Sequence, residues 1–257
     1  MTNLNVLSKV RIVSPKPRRS SAQAVARAGV LLSGDAANSA LELYFSGRFT
    51  GAWFDAVGRG TDPATGAPVD REPNRVTIED SLSLSLLDTP LKPREVIGLL
   101  EINRDLVHLL GRIDLGLTLI AAAPAEDFTE SPWASASMAY KLLRASSGIG
   151  RSRASKLLAR KRPHLIPVWD RYVAEGLAMK GSDQDWVIMQ DVVVAHSDRL
   201  HAIADEFRFS NRDNGRAQGL SLLRMFDIIV WMRMHGCDLI DDGVAVKVAA
   251  RLLAKAG

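Results

Sequence analysis

A run of apolar side chains at helical spacing constrains this chain most. Trp186, Met189, Val193, His196, Leu200, Ile203 and Phe207 follow one another at steps of three and four residues. Such steps keep every member on one face of an α-helix, whereas a half-buried strand needs steps of two. The spacing predicts a helix over 183–207. His196 lies on the stripe and reads as a core histidine rather than a metal ligand, because its neighbour His201 is five residues on, not four. Further helices are expected from Ser21 to Leu32 and from Gly34–Asp35 onward, with Asp35 as N-cap and Ala36, Ala40, Leu41, Tyr44 and Phe45 on the apolar face. Thr77 and Asp80 form a capping pair for a helix to Leu87. Pro93 opens another, which carries Val96, Leu99, Leu100, Leu106, Val107 and Leu110 on its buried face, and Ser131–Pro132 opens the next. Residues 151–161 form a helix stopped by Pro163, and 215–234 and 242–255 complete the set. No alternating pattern competes and no repeat is visible, so the fold class is mainly α, a multi-helix bundle.

Residues 46–75 break the pattern. Five glycines and three prolines fall there, so a long Gly/Pro-rich loop is expected, with room for one short strand pair. Phe49, Trp53 and Phe54 suggest that its start packs down onto the core. Residues 1–20, with Pro15, Pro17 and several basic side chains, read as a basic flexible arm, and 21–257 as a single helical domain.

The charge is unevenly placed. The chain of 257 residues has a formal net charge of +4. Residues 1–34 hold six basic residues and no acid, and 141–163 hold eight and no acid, so the remainder is acidic, with 19 basic residues against 29 acidic. Concentrated positive charge is the expected footprint of a polyanion partner. The longest charge-free stretch, Leu115–Ala125, has eleven residues, short of the roughly 20 of a membrane helix, so no membrane partner is expected. No apolar core follows the N-terminal charges, so neither is a secretory signal. The single cysteine, Cys237, excludes an internal disulfide and a cysteine-ligated cluster or four-cysteine zinc site. The expectation is a cytoplasmic protein with no metal and no cofactor. Neither a P-loop, a Rossmann fingerprint nor a serine-hydrolase elbow occurs.

The informative segment runs from Ser137 to Val173, where two helical stretches flank Gly148–Ile149–Gly150. A short turn of this kind points backbone N–H groups outward, and the second helix adds its positive N-terminal end, which together suit a phosphate. Arg151 and Arg153 stand beside the turn, Lys156 follows a turn later, and Ile149 tucks between the helices.

This segment resembles the helix-hairpin-helix motif, and more specifically that of the helix-hairpin-helix DNA glycosylase superfamily. That pattern is G-h-G-x-x-x-A, matched by Gly148–Ile149–Gly150–Arg151–Ser152–Arg153–Ala154. About twenty residues beyond the second glycine the family has an aspartate after a short apolar run, matched by Asp170 after Ile166–Pro167–Val168–Trp169. The whole chain also looks like an uncharacterised family of bacterial proteins built around this segment. The resemblance implies a glycosylase-like bundle, a DNA partner (with RNA as the alternative) gripped by the hairpin, and Asp170 as the carboxylate that stabilises positive charge on the sugar as a base leaves. It also implies a monofunctional mechanism, because Ser152 stands where bifunctional members carry the lysine nucleophile. Trp169 replaces a small or β-branched residue, and Ser147 stands where proline is frequent.

From the residues alone, Asp170 reads equally as the N-cap of the helix that starts there. Trp53, Phe54, Trp133, Tyr140, Trp169 and Tyr172 are available as pocket walls or a wedge. Asp227, inside an apolar run, needs a partner, and Arg224 one turn back is the local candidate. Three readings follow: a DNA-binding protein, a base-excision glycosylase using Asp170, and an inactive helical module serving regulation or protein interaction, of toxin–antitoxin or defence type. The first two differ in whether Asp170 faces an open pocket lined by aromatics.

Overall fold

The computed structural model describes residues 19–122, 133–179 and 185–235, with a strand pair at 240–241 and 244–245. Twelve α-helices run through the described residues, and the strands are four of two residues each. The N-terminal part comprises α1 (Arg19–Leu31) and α2 (Ala36–Leu43), then a π-helical turn at Tyr44–Arg48 and a 3-10 turn at Thr50–Trp53. The Gly/Pro-rich loop follows and contains the antiparallel pair β1 (Gly60–Thr61) and β2 (Pro68–Val69). Next come α3 (Ile78–Ser83), a 3-10 turn at Leu84–Leu87, α4 (Pro93–Glu101) and α5 (Asn103–Leu110). The hairpin helices are α6 (Trp133–Ala145) and α7 (Arg151–Lys161), followed by α8 (Arg171–Gly176). The rest comprises α9 (Asp185–Ala195), α10 (Ser197–Ser210), α11 (Gly215–Gln218), α12 (Leu222–Met234), β3 (Ile240–Asp241) and β4 (Val244–Ala245).

The mainly α reading holds, and the Thr77/Asp80 capping box closes as the sequence implied. Three long helices expected from periodicity are instead broken. The stripe from Trp186 to Phe207 is divided between α9 and α10 at His196, whose backbone leaves the helical region (φ −113°, ψ 17°). The His196 ring bonds the Val25 carbonyl of α1 at 2.8 Å, so a tertiary contact sits at the break. The helix from Pro93 breaks at Ile102, and Leu100 and Val107 lie exposed rather than on a buried face. Residues 215–234 divide into α11 and α12, where Ser221 caps α12 by accepting from the Arg224 amide at 3.1 Å. Pairing of β4 with β3 replaces the start of the helix expected over 242–255, the rest of which lies outside the described residues. The same is true of residues 1–18 of the basic arm and of Ser131–Pro132.

The largest correction concerns the basic segment 141–163. Lys156, Arg160, Lys161 and Arg162 are each 3% exposed or less, so half of its cations point into the protein. Arg160 donates to Asp80 at 2.7 Å and to the carbonyls of Phe54 and Val57. Lys161 meets Asp80 at 2.6 Å and Asp70 at 3.1 Å. Arg162 donates to the Pro73 carbonyl at 2.8 Å and the Asn74 side chain at 2.5 Å. Three consecutive cations thus clamp the Gly/Pro-rich loop onto α7. Phe54 anchors the start of the loop in the core, and charge-assisted bonds to the loop's carbonyls hold the rest. Burial alone would raise the Asp80 carboxyl, but Lys161, the Thr77 amide and Arg160 outweigh it and hold the group below the ordinary carboxylate range.

Candidate active site

The hairpin turn forms as expected. Gly148 has φ +78°, a left-handed conformation that glycine adopts without strain, and Ile149 is buried between α6 and α7. The Glu95 side chain of α4 occupies the space where a Cβ on residue 148 would lie. Glu95 also accepts from Arg153 at 3.1 Å, and Arg153 donates to the Gly148 carbonyl at 2.6 Å and the Pro90 carbonyl at 2.6 Å. Arg153 is therefore tied into the hairpin's own structure. The Arg151 guanidinium lies on the Trp169 ring, 4.3 Å from its centroid. Lys141 and Arg144 are exposed on α6, Gly150 is exposed at the turn, and Ser152 is half-buried.

From the hairpin the chain runs along α7 to Asp170. Ser155, fully buried on α7, donates to the Pro167 carbonyl at 3.0 Å and accepts from the Trp169 amide at 2.6 Å. That double bond fixes the extended segment that ends at Asp170. Asp170 is the N-cap of α8: its Oδ1 accepts from the Tyr172 amide at 2.9 Å. Its Oδ2 lies 3.6 Å from Lys156 Nζ, and the side chain remains 20% exposed. Lys156 also donates to the Leu87 carbonyl at 3.1 Å. The residue expected beside the hairpin is thus the buried partner of Asp170.

Asp170 and Lys156 border a cavity of about 470 Å³, a size suited to small ligands. Its aromatic walls are Tyr44, Phe49, Tyr172 and Trp231, with His235 at one end. Phe49 stacks on Tyr44 at 5.7 Å, Trp231 meets Phe49 edge-on at 5.9 Å, and His235 stacks on Trp231 at 4.4 Å. Gly51 is required here, because a Cβ would collide with the Tyr44 hydroxyl.

Of the aromatics expected around the site, only Tyr172 lines the cavity. Trp133 is fully buried and packs on Trp186, which also meets Tyr140 at 5.7 Å. Trp53 is 53% exposed beneath Arg216, Phe54 is buried in the core, and Trp169 packs under Arg151 outside the cavity. Sequence reasoning missed Tyr44, Phe49, Trp231 and His235. The one usable signal was the spacing of Trp231 and His235 from Asp227, which at steps of four places Asp227 and Trp231 on one side of α12 and His235 at its C-cap in line with them.

The polar floor is formed by α12. Arg224 donates to Asp227, to Asp55 at 2.9 Å and to the Tyr44 hydroxyl at 2.8 Å. Burial alone would lower Arg224, but Tyr44, Asp227 and Asp55 outweigh it and raise its value. Burial pushes the Tyr44 phenol up to about 12, so it is protonated. Burial also pushes the Asp227 carboxyl up to about 6; Arg224 opposes the shift and the Asp170 charge adds to it. Burial holds the Lys156 ammonium below its ordinary value against the pull of Asp170 and Asp227.

Chemically, the arrangement offers a carboxylate at the mouth of an aromatic slot, a second carboxylate on its floor, and two fixed cations. Among the described residues no group of three or more His, Cys, Asp or Glu side chains could hold a metal ion, and no helix is long and apolar enough to cross a membrane. Comparison with curated proteins and with solved structures gave no match. A family model does match residues 37–234, which include the hairpin, the loop and every wall of the cavity except His235; the chain belongs to DUF6308, a family of unknown function.

Proposed function

We propose that this chain is a DNA-binding protein of the helix-hairpin-helix type that acts as a monofunctional base-excision glycosylase. The observation that carries the reading is the position of Asp170. It follows the hairpin at the distance the glycosylase resemblance implies, and its carboxylate opens onto an aromatic cavity. In this reading the hairpin holds a phosphate through the turn at 148–150 and Arg151. A nucleotide leaves the base stack, and its base enters between the aromatic walls. As the C1′–N bond lengthens, the sugar approaches an oxocarbenium ion, and a carboxylate fixed nearby stabilises that charge. The cap bond from Tyr172 and the Lys156 contact hold Asp170 in place before substrate arrives.

The test is a panel of duplexes carrying alkylated, oxidised and deaminated bases, treated with alkali to reveal abasic sites. Wild type should release at least one base, and Asp170→Asn should release none while still binding the duplex. Activity that survives in Asp170→Asn refutes the assigned role. A borohydride-trapped adduct that is lost in Lys156→Gln would replace the monofunctional mechanism with a lyase.

One observation favours the regulatory or protein-interaction reading instead. Half of the basic segment is buried, and Arg153 is paired with Glu95, so less positive surface remains for phosphate than the sequence suggested. Absence of duplex affinity at low salt would select that reading.

A further inference from the structure

The cavity contains a buried acid that the proposed chemistry does not yet use. Asp227 is 3% exposed, lines the cavity, and shares Arg224 with a second carboxylate, Asp55. Lys156 stands across from it with Asp170 as its own partner. Asp55 also faces the largely buried cation Arg59, so the balance at Asp227 is set by its own burial and the Asp170 charge against Arg224 and Lys156. Tyr44, the other group held by Arg224, is a neutral phenol. Asp88, Arg171 and His235 also line the cavity and are exposed. A carboxylate this deeply buried, with a second carboxylate on the same cavity, favours the protonated form.

We propose that Asp227 is the second acid of the site: it enters the reaction protonated and delivers that proton to the departing base. The inference rests on the base-excision reading above. As the C1′–N bond breaks, both bonding electrons pass to the base nitrogen, which takes the Asp227 proton. Water adds its oxygen to C1′ and passes a proton to Asp170. Asp227, now ionised, is held by Arg224, and transfer of the proton from Asp170 through solvent restores the starting state. A positioned general acid contributes about 10²-fold or more when the leaving group is poor.

The leaving group supplies the discriminating test. Hypoxanthine leaves as a neutral base only if it is protonated, whereas N7-methylguanine already carries positive charge and needs no donor. Single-turnover release from duplexes carrying each base should fall about 100-fold on hypoxanthine in Asp227→Asn, and less than tenfold on N7-methylguanine. The wild-type rate on hypoxanthine should also fall as pH rises through about 6, and this limb should vanish in the variant. In wild type, NMR of ¹³C-carboxyl-labelled aspartate should show one buried carboxyl titrating near 6. Equal losses on both bases, undiminished hypoxanthine release in the variant, release of the cationic base alone by wild type, or no carboxyl titrating above about 4 would overturn the inference and leave the base-excision reading standing. A wild type inactive on both bases and on the full panel would end both.

Discussion

Asp80 shows how much of this structure depends on single buried charges. It is 2% exposed and receives Arg160, Lys161 and the Thr77 amide. Removal of one partner from a buried ion cluster leaves the others charged in a low-dielectric site, at a cost of about 3–5 kcal/mol. Asp80→Asn should therefore lower stability by that order in urea unfolding at pH 7, and a loss below about 1 kcal/mol would contradict the clamp. Because the folded carboxyl lies below its ordinary value, its contribution is present above the ordinary Asp range and is lost as pH falls through the folded value. The gap between wild type and variant should close on acidification below about 4. Asp227 has the opposite sign. Its folded value lies above the ordinary one, so its ionisation counts against folding as pH rises toward and past about 6. The sequence made Asp227 visible as a charge needing a partner and Asp80 only as half of a capping pair, and it did not show Lys156 as a partner of Asp170. The helix α7 is buried from Ala154 to Lys161, so its charges do not mark a solvent face.

The hairpin turn and Asp170 were legible as elements because glycine, spacing and capping are local properties. Gly148→Ala should cost about 1–2 kcal/mol for the left-handed backbone alone. The neighbouring Glu95 carboxylate adds to that cost. Urea unfolding checks this, and duplex affinity should fall in parallel. Ser155→Ala should leave the Trp169 amide without its partner, at about 1–3 kcal/mol, and should reduce base release more than duplex binding, because it loosens the segment that aims Asp170. Equal effects on binding and release would show that Ser155 serves the fold alone. The helix breaks at Ile102, His196 and Gly219–Ser221 were not legible. Periodicity continues across His196, and what marks the break is a bond to α1, 171 residues away in sequence. The cavity was illegible for the same reason: Tyr44, Phe49, Asp170 and Trp231 come from separate elements that only tertiary packing brings together.

At the scale of the molecule, charge divides into an interior share and a surface share. Arg160, Lys161 and Arg162 hold the loop, whereas Lys141 and Arg144 are exposed on α6 and Arg151 lies half-buried on Trp169; in the proposed reading these three meet the polyanion. Replacement of the surface three with alanine should weaken duplex binding across all sequences, and the slope of log K against log salt should shrink by about 0.9 for each phosphate that is no longer neutralised. Replacement of the interior three should lower the melting midpoint instead. Titrations at several salt concentrations and thermal melts on the same samples separate the two shares; unchanged affinity and slope in the surface variant would remove the hairpin face from the interface.

The central claim is that Asp170 stabilises a cationic sugar held beside the aromatic cavity. It can be tested without knowledge of the target base. Duplexes carrying a cationic pyrrolidine nucleotide, which mimics the oxocarbenium ion, are compared with duplexes carrying the neutral tetrahydrofuran nucleotide. Wild type should bind the cationic duplex at least about tenfold more tightly, a preference of about 1.4 kcal/mol, and Asp170→Asn should lose that preference. Equal affinity of wild type for the two duplexes, or a preference that persists in Asp170→Asn, would contradict it.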